Sequence, residues 1–414
     1  MSPARHAYRP PAAPRAARHP TFVYWRRRVL VALLVTIVVV VGYLGISLGF
    51  ALTNQSYGVS FQARFAEWGR QHGLGAEVTW AESEYYRLHP AKVGGTPPLN
   101  AFGSGPTTIK ISAGAHLPAP KTIPTPAATP LPGEGVWHVV GRRTASGVPT
   151  TYEAFVRPDA IHTSYVVGVV WMDPTLLQAQ LYSGSSIPGG GPYSYTAPIS
   201  AKSSRTLVDA FNAGFLMQDS EGGYYTDGKT ILPLRKGAAS AVIFKDGTMT
   251  VGMWGRDVTM SNQVASVRQN LNLIVDNGQP VAGLSDANTA MWGLTLGGAF
   301  NVWRSGLGVT KDGALIYVGG PSLSISDLAN VLVRAGAVRA MELDINTDWV
   351  QYSVFNGKAN SPINGANGTS LMSSMIGPPA RYFASWWTRD FFTMSLRPVE
   401  TGTSSSTTTI KPKS

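Results

Sequence analysis

Residues 29 to 52 run for 24 positions without a charged side chain. In hydrocarbon only a helix or a closed barrel satisfies every backbone N–H and C=O. At about 1.5 Å per residue the run makes a helix of about 36 Å, enough to cross a layer about 30 Å thick with some tilt. Arg26, Arg27 and Arg28 stand directly before it, and arginine-rich flanks stay on the cytoplasmic side. The pattern predicts a basic cytoplasmic arm at 1–28, a single transmembrane helix at 29–52 in the cell membrane, and the C-terminal domain outside. A cleaved signal peptide is the competing reading, but its apolar core usually spans about 7 to 15 residues and closes on a small-x-small site.

The net charge of +11 shrinks once it is located. Arg5, Arg9, Arg15, Arg18, Arg26, Arg27 and Arg28 lie in an arm without acids, and subtracting those seven from +11 leaves +4 for the rest of the chain. No basic stripe interleaved with aromatics follows, which argues against nucleic acid as a partner. The chain has no cysteine, so disulfides, thiolate chemistry and Cys-ligated metals are out of reach. Any external domain must be held by its core.

After the span, Phe61, Phe65 and Trp68 fall at helical spacing, suggesting a stem at 53–99 that rests on the membrane or on the main domain. Residues 100–133 turn to Pro, Thr, Ala and Gly, with prolines at 106, 118, 120, 124, 126, 130 and 132. That composition predicts an extended linker able to lift the distal domain off the membrane. Residues 401–414 read as a disordered tail. Between them, 134–400 reads as one α+β domain, a mixed, strand-rich sheet with a few helices. Hairpins turn at Asp246-Gly247 and Asp312-Gly313, dipeptides that tolerate positive φ. Ser324-x-x-Asp327 is a capping box opening a helix that stops at Gly336.

That helix leads into Ala340 to Asp348, A-M-E-L-D-I-N-T-D. Met341, Leu343 and Ile345 alternate with Glu342, Asp344 and Asn346, the period of a strand with one buried face. Glu342 and Asp344 would then share the other face, with Cα atoms roughly 6.6 to 6.8 Å apart. Like charges that close are costly unless a cation or a function lies between them. A site is one reading, a solvated strand end the other. All seven histidines lie at or before position 162, so proton work after that point falls to carboxylate, arginine, lysine, tyrosine and backbone amide.

Three segments are read together: Asp209-Ala-Phe-Asn212-Ala-Gly214-Phe215, Arg304-Ser-Gly-Leu-Gly308-Val, and Gly336-Ala-Val-Arg-Ala-Met-Glu342-Leu-Asp344. Together they resemble the phosphodiester glycosidase family, whose domain also occurs in the mannose-6-phosphate uncovering enzyme. The resemblance covers roughly 204 to 350. It implies that Asn212, Gly214, Arg304 and Asp344 belong to a substrate pocket. Where the family continues from its aspartate into three glycines and a serine, this chain has Ile345, Asn346, Thr347, Asp348 and Trp349, so it reads as a divergent member. Glu342, Asn346 and Asp348 join the candidate list from the local pattern alone.

Hydrolysing a sugar phosphodiester expels a phosphate monoester whose second pKa is about 6, so histidine is dispensable. A carboxylate pair can stabilise the oxocarbenium-like centre and place the water, and Glu342 and Asp344 are the catalytic candidates. Arg304 could grip the phosphate as a planar fork, form a salt bridge to the acidic strand, or do both together; Asn212, Gly214, Asn346 and Asp348 complete the substrate-binding candidates. Asp344-x-Asn346-x-Asp348 invites calcium, but Trp349 and Phe355 break the loop pattern, so no cofactor and no metal are expected. The expected function is a membrane-anchored hydrolase of a sugar-1-phosphodiester in an envelope glycoconjugate, with a carbohydrate or phosphoglycan ligand. The alternatives are a non-catalytic glycan-binding module and a purely structural wall protein.

Overall fold

The computed structural model describes residues 21–98, 100–103, 116–286, 288, 291, 292, 301–358 and 360–398, with the side chains of 21–23 and 83 left aside. The basic arm before residue 21, the centre of the proline-rich segment and the Ser/Thr/Lys tail lie outside these. Contacts divide the chain into two units, Met1–Thr53 and Asn54–Ser414.

Among the described residues the first unit consists of helix α1 (Thr21–Thr53). From Tyr24 to Thr53 it is long and apolar enough to cross a membrane, a composition that a signal sequence shares.

The second unit begins with two helices, α2 (Phe61–Gln71) and α3 (Gly75–Leu88). Ser60 caps α2, its hydroxyl accepting from the Ala63 amide at 3.0 Å. Gly69 lets the pair close, since a Cβ there would lie 2.8 Å from Val78 Cγ2. Arg70 and Glu82 link the two helices at 2.6 Å. Trp68 is buried while Phe61 and Phe65 stay exposed, so the apolar face read from spacing is only partly used.

Residues 116–133 do not stand free. Ile123 is buried against Tyr152 and Val169, the Leu117 amide donates to Asp173 at 2.9 Å, and Trp137 Nε1 donates to the Lys121 carbonyl at 2.8 Å. The prolines extend the chain, but one buried isoleucine and these hydrogen bonds lay it along the sheet.

The strands follow: β1 (His138–Arg143), β2 (Pro149–Val156), β3 (Val167–Met172), β4 (Leu177–Tyr182), β5 (Leu207–Asn212), β6 (Tyr224–Thr226), β7 (Lys229–Leu232), β8 (Ala239–Phe244) and β9 (Met249–Met253). Next come β10 (Val264–Gln269), β11 (Leu273–Asp276), β12 (Gln279–Pro280), β13 (Val302–Thr310), β14 (Leu315–Leu323), helix α4 (Ile325–Arg334), β15 (Ala337–Ile345), β16 (Tyr352–Phe355), β17 (Gly368–Ser370) and β18 (Phe391–Leu396). They form an eight-stranded sheet in the order β1-β2-β3-β14-β13-β15-β11-β12 and two five-stranded sheets, β7-β6-β10-β8-β9 and β17-β16-β5-β18-β4. Neighbours within each sheet pair antiparallel, and the fold is α+β.

Both dipeptide turns form, between β8 and β9 and between β13 and β14. Ser324 and Asp327 cap α4 reciprocally, and Leu328, Val331 and Leu332 pack on one face of the large sheet against Ile316, Val318 and Ala340. The sheets enclose a second core holding Phe211, Leu307, Tyr317, Met341, Leu343 and Phe392. Tyr182, Trp349, Tyr382, Trp387 and Phe391 close a third cluster. The C-terminal aromatics are therefore mainly core.

Candidate active site

The acidic strand does not behave as its period predicts. Gly306 of β13 pairs with Glu342, yet Arg304 pairs with Ile345 where an unbroken ladder would place Asp344. One extra residue on β15 makes a bulge, and a bulge re-aims the side chains beyond it. Glu342 stays beside Gly306, whose position abuts Leu328 and Leu332 of α4. Asp344 instead lines a cleft of about 480 Å³. The two carboxylates are not a pair across one substrate.

The cleft is built from four directions. The loop after β5 gives Phe215, Leu216, Gln218, Asp219 and Glu221; the end of β15 gives Asp344, Ile345, Asn346 and Trp349; Arg389 precedes β18; and Glu67, Arg70, Gly75 and Thr79 come from the α2–α3 hairpin. Asp344 is 5% exposed. Burial pushes its carboxyl up to about 7, opposed by Arg389 and by the Ile345 amide that donates to Oδ1 at 2.9 Å. Burial also raises Asp219, against the pull of Arg389 and Arg70. Arg389 thus acts on both Asp344 and Asp219, from the β15 end and from the loop after β5.

Hydrogen bonds explain why the motif residues are there. Asn212 is buried, with Nδ2 donating to Ser305 Oγ at 3.0 Å and Oδ1 accepting from Tyr317 Oη at 3.0 Å and the Gln351 amide at 3.1 Å. Ser305 Oγ in turn donates to the Asp344 carbonyl at 3.0 Å and accepts from its amide at 3.1 Å. Asn212 therefore holds the backbone of Asp344 through Ser305 and does not face the cleft. Gly214 passes under Asn270 and Arg268; a Cβ there would lie 3.2 Å from Asn270 Oδ1. Asn270 donates to the carbonyls of Glu342 and Leu343, both at 2.9 Å, and accepts from the Phe215 amide at 3.2 Å. The loop after β5 is thereby tied to the acidic strand.

Arg304 is 3% exposed, with Nη1 2.5 Å from Glu342 Oε1 and Nε donating to the Leu323 carbonyl at 2.9 Å. Of the two roles open to it from sequence, the structure shows the salt bridge. Burial pushes Glu342 up to about 7 while the Arg304 guanidinium opposes the rise, and Glu342 Oε2 has no hydrogen-bond partner. Neither side chain lines the cleft.

Asp348 turns to the hairpin, accepting from the Ser60 amide at 3.0 Å and the Ser60 hydroxyl at 3.3 Å. Asn346 lines the cleft at φ 93°, its Oδ1 accepting from the Asp348 amide at 3.0 Å. With Asp348 committed to Ser60, the alternating acids do not converge as a calcium cage. Among the described residues no group of three His, Asp or Glu side chains is arranged to hold a metal ion. His138 sits against the Phe102 carbonyl and His162 beside Asp159, both away from the cleft.

Sequence reasoning missed Arg389, Asp219 and the hairpin residues. Asp219 lies four positions beyond Phe215, close enough to the motif to have been considered; Arg389 stands among aromatics with no local signal.

Comparison with curated proteins returns no match. Among solved structures, one similar chain is the zebrafish N-acetylglucosamine-1-phosphodiester alpha-N-acetylglucosaminidase catalytic domain auto-inhibited by its pro-peptide. It is 15% identical over 63% of this chain and 88% of that one, with a TM-score of 0.38. Another is a hypothetical protein from Synechocystis, 13% identical over 60% of this chain and 62% of that one, with a TM-score of 0.32. The phosphodiester glycosidase family model matches residues 204–368, which include β5, Asp219 and the whole of β15. By that match, residues 204–368 of this chain are similar to the phosphodiester glycosidase family.

Proposed function

We propose that this protein is a membrane-anchored, extracytoplasmic hydrolase of sugar-1-phosphodiesters, acting on an envelope glycoconjugate. The observation that carries the reading is Asp344: a carboxyl inside the family-matched segment, nearly buried, raised to about 7, and opening on a cleft of ligand size. Water attacks the anomeric carbon, the bond from that carbon to the phosphate oxygen breaks, and a phosphate monoester leaves. The monoester's second pKa is about 6, so an acid near 7 is well matched to share its proton as the bond opens. Asp219, which lines the same cleft from the loop after β5, is the proposed acceptor of the proton from the attacking water. Support for the membrane anchor comes from α1 and its preceding arginines.

A second reading, a glycan-binding module, is favoured by the withdrawal of Glu342 into its pair with Arg304. The test is release of free sugar from synthetic sugar-1-phosphodiesters by the full-length protein in detergent, set against Asp344→Asn. Turnover abolished by the substitution supports the hydrolase. Binding without turnover in the unaltered protein supports the module.

A further inference from the structure

Burying a cation without a counter-charge is expensive, and Arg389 comes close to that state. Its residue is 8% exposed, Nη1 has no hydrogen-bond partner, and Arg389 takes part in none of the ion pairs found among the described residues. The neighbouring carboxylate is engaged elsewhere through one oxygen, Asp390 Oδ2 meeting Arg268 Nε at 2.7 Å, and its Oδ1 makes no hydrogen bond to Arg389 or to any other group. What Arg389 does have is a stack, with Cζ 4.1 Å from the centre of a Trp349 ring. Stacking fixes the plane of the guanidinium and leaves Nη1 unengaged.

The backbone places this group deliberately beside the family-matched segment. Phe391 of β18 pairs with Asn212 of β5, so Arg389 stands next to the start of the loop that carries Asp219. Gly184 makes room for it: a Cβ there would lie 2.2 Å from Thr388 C and 2.5 Å from the Arg389 carbonyl oxygen. Within the cleft the cation acts on both Asp344 and Asp219.

We infer that Arg389 is the anchor for the phosphate group of an anionic ligand bound in this cleft, the role that the sequence suggested for Arg304. A planar fork suits a tetrahedral oxyanion, and the group lies outside residues 204–368. Asp344 is compatible with such a neighbour, because a carboxyl held largely neutral below about pH 7 adds little repulsion. Naming phosphate as the anion rests on the hydrolase reading; the binding itself is measured apart from turnover.

The experiment titrates inorganic phosphate into the full-length protein in detergent and follows tryptophan fluorescence and the thermal midpoint. The unaltered protein is expected to bind, Arg389→Gln to bind at least about tenfold more weakly, and Arg389→Lys to fall between. Lys311→Gln, on an exposed turn, should match the unaltered protein. No phosphate binding by the unaltered protein, equal affinity in Arg389→Gln, or acetate competing as well as phosphate overturns the inference. If Arg389→Gln fails to fold, unchanged affinity in Arg389→Lys overturns it. Arg389-dependent phosphate binding without sugar release removes the hydrolase and keeps the anchor; turnover with KM unchanged in Arg389→Gln keeps the hydrolase and removes the anchor.

Discussion

Ser60 and Asp348 join the α2–α3 hairpin to the turn beside the cleft: the Ser60 amide and hydroxyl both donate to the Asp348 carboxylate, at 3.0 and 3.3 Å. The same hydroxyl caps α2. The hairpin that supplies Glu67 and Arg70 to the cleft wall is thus fastened through a serine that also starts its first helix.

Asp348→Ala should loosen that fastening. Loss of two hydrogen bonds to a charged acceptor costs about 1.5 to 3 kcal/mol each at most, enough to raise amide exchange across α2 and α3 while β13 to β15 stay protected. Exchange mass spectrometry checks it; unchanged protection of residues 61–88 would show that the Ser60–Asp348 contact is not what seats the hairpin.

Arg304→Met is expected to cost about 3 to 5 kcal/mol in urea unfolding, because it strands Glu342 in the core. The double replacement Arg304→Met with Glu342→Leu should recover most of that loss. If Glu342 instead served the reaction directly, the refolded double variant would lose turnover, which separates the two assignments.

Asn212→Ala removes the tie through Ser305 to the Asp344 backbone. The expected result is a fall in kcat with KM little changed, and a stability loss of about 1 to 3 kcal/mol from the donors and acceptor left unpaired. Equal losses in kcat and in folded fraction would reduce Asn212 to a purely architectural residue.

The pH dependence has a definite sign. Burial holds Asp344, Asp209 and Glu153 at about 7 in the fold, against ordinary values of 3.8, 3.8 and 4.5. A carboxyl raised on folding binds its proton more tightly in the native state, so its stabilising contribution is full below about pH 4 and lost as pH rises to about 7. The thermal midpoint should therefore be higher at pH 5 than at pH 8. A flat or opposite profile would mean that these groups are ionised in the fold.

Turnover should likewise decline as pH climbs through about 7, where Asp344 gives up the proton it is proposed to donate. Initial rates on a sugar-1-phosphodiester measure this, and a decline that persists in Asp344→Asn would point to another group.

Local rules carried much of the fold. Asp246-Gly247 and Asp312-Gly313 made their hairpins, Ser324 and Asp327 made their capping box, and the charge-free run made a helix. Each depends on neighbours a few positions away, so the residues themselves contain the information. The three motif segments also led to the family that the matched segment bears out.

The roles inside the site were a different matter, since they depend on groups far apart in the chain. Period 2 put Glu342 beside Asp344, but the bulge opposite Arg304 and Gly306 is set by cross-strand pairing, and it sent one carboxyl to an arginine and the other to the cleft. Arg389 reaches the same cleft only because β18 pairs with β5. Sequence alone determined which local elements form, because turns, caps and hydrophobic runs are short-range energetics; tertiary structure decided which polar groups meet, because register and burial are properties of the whole packed core.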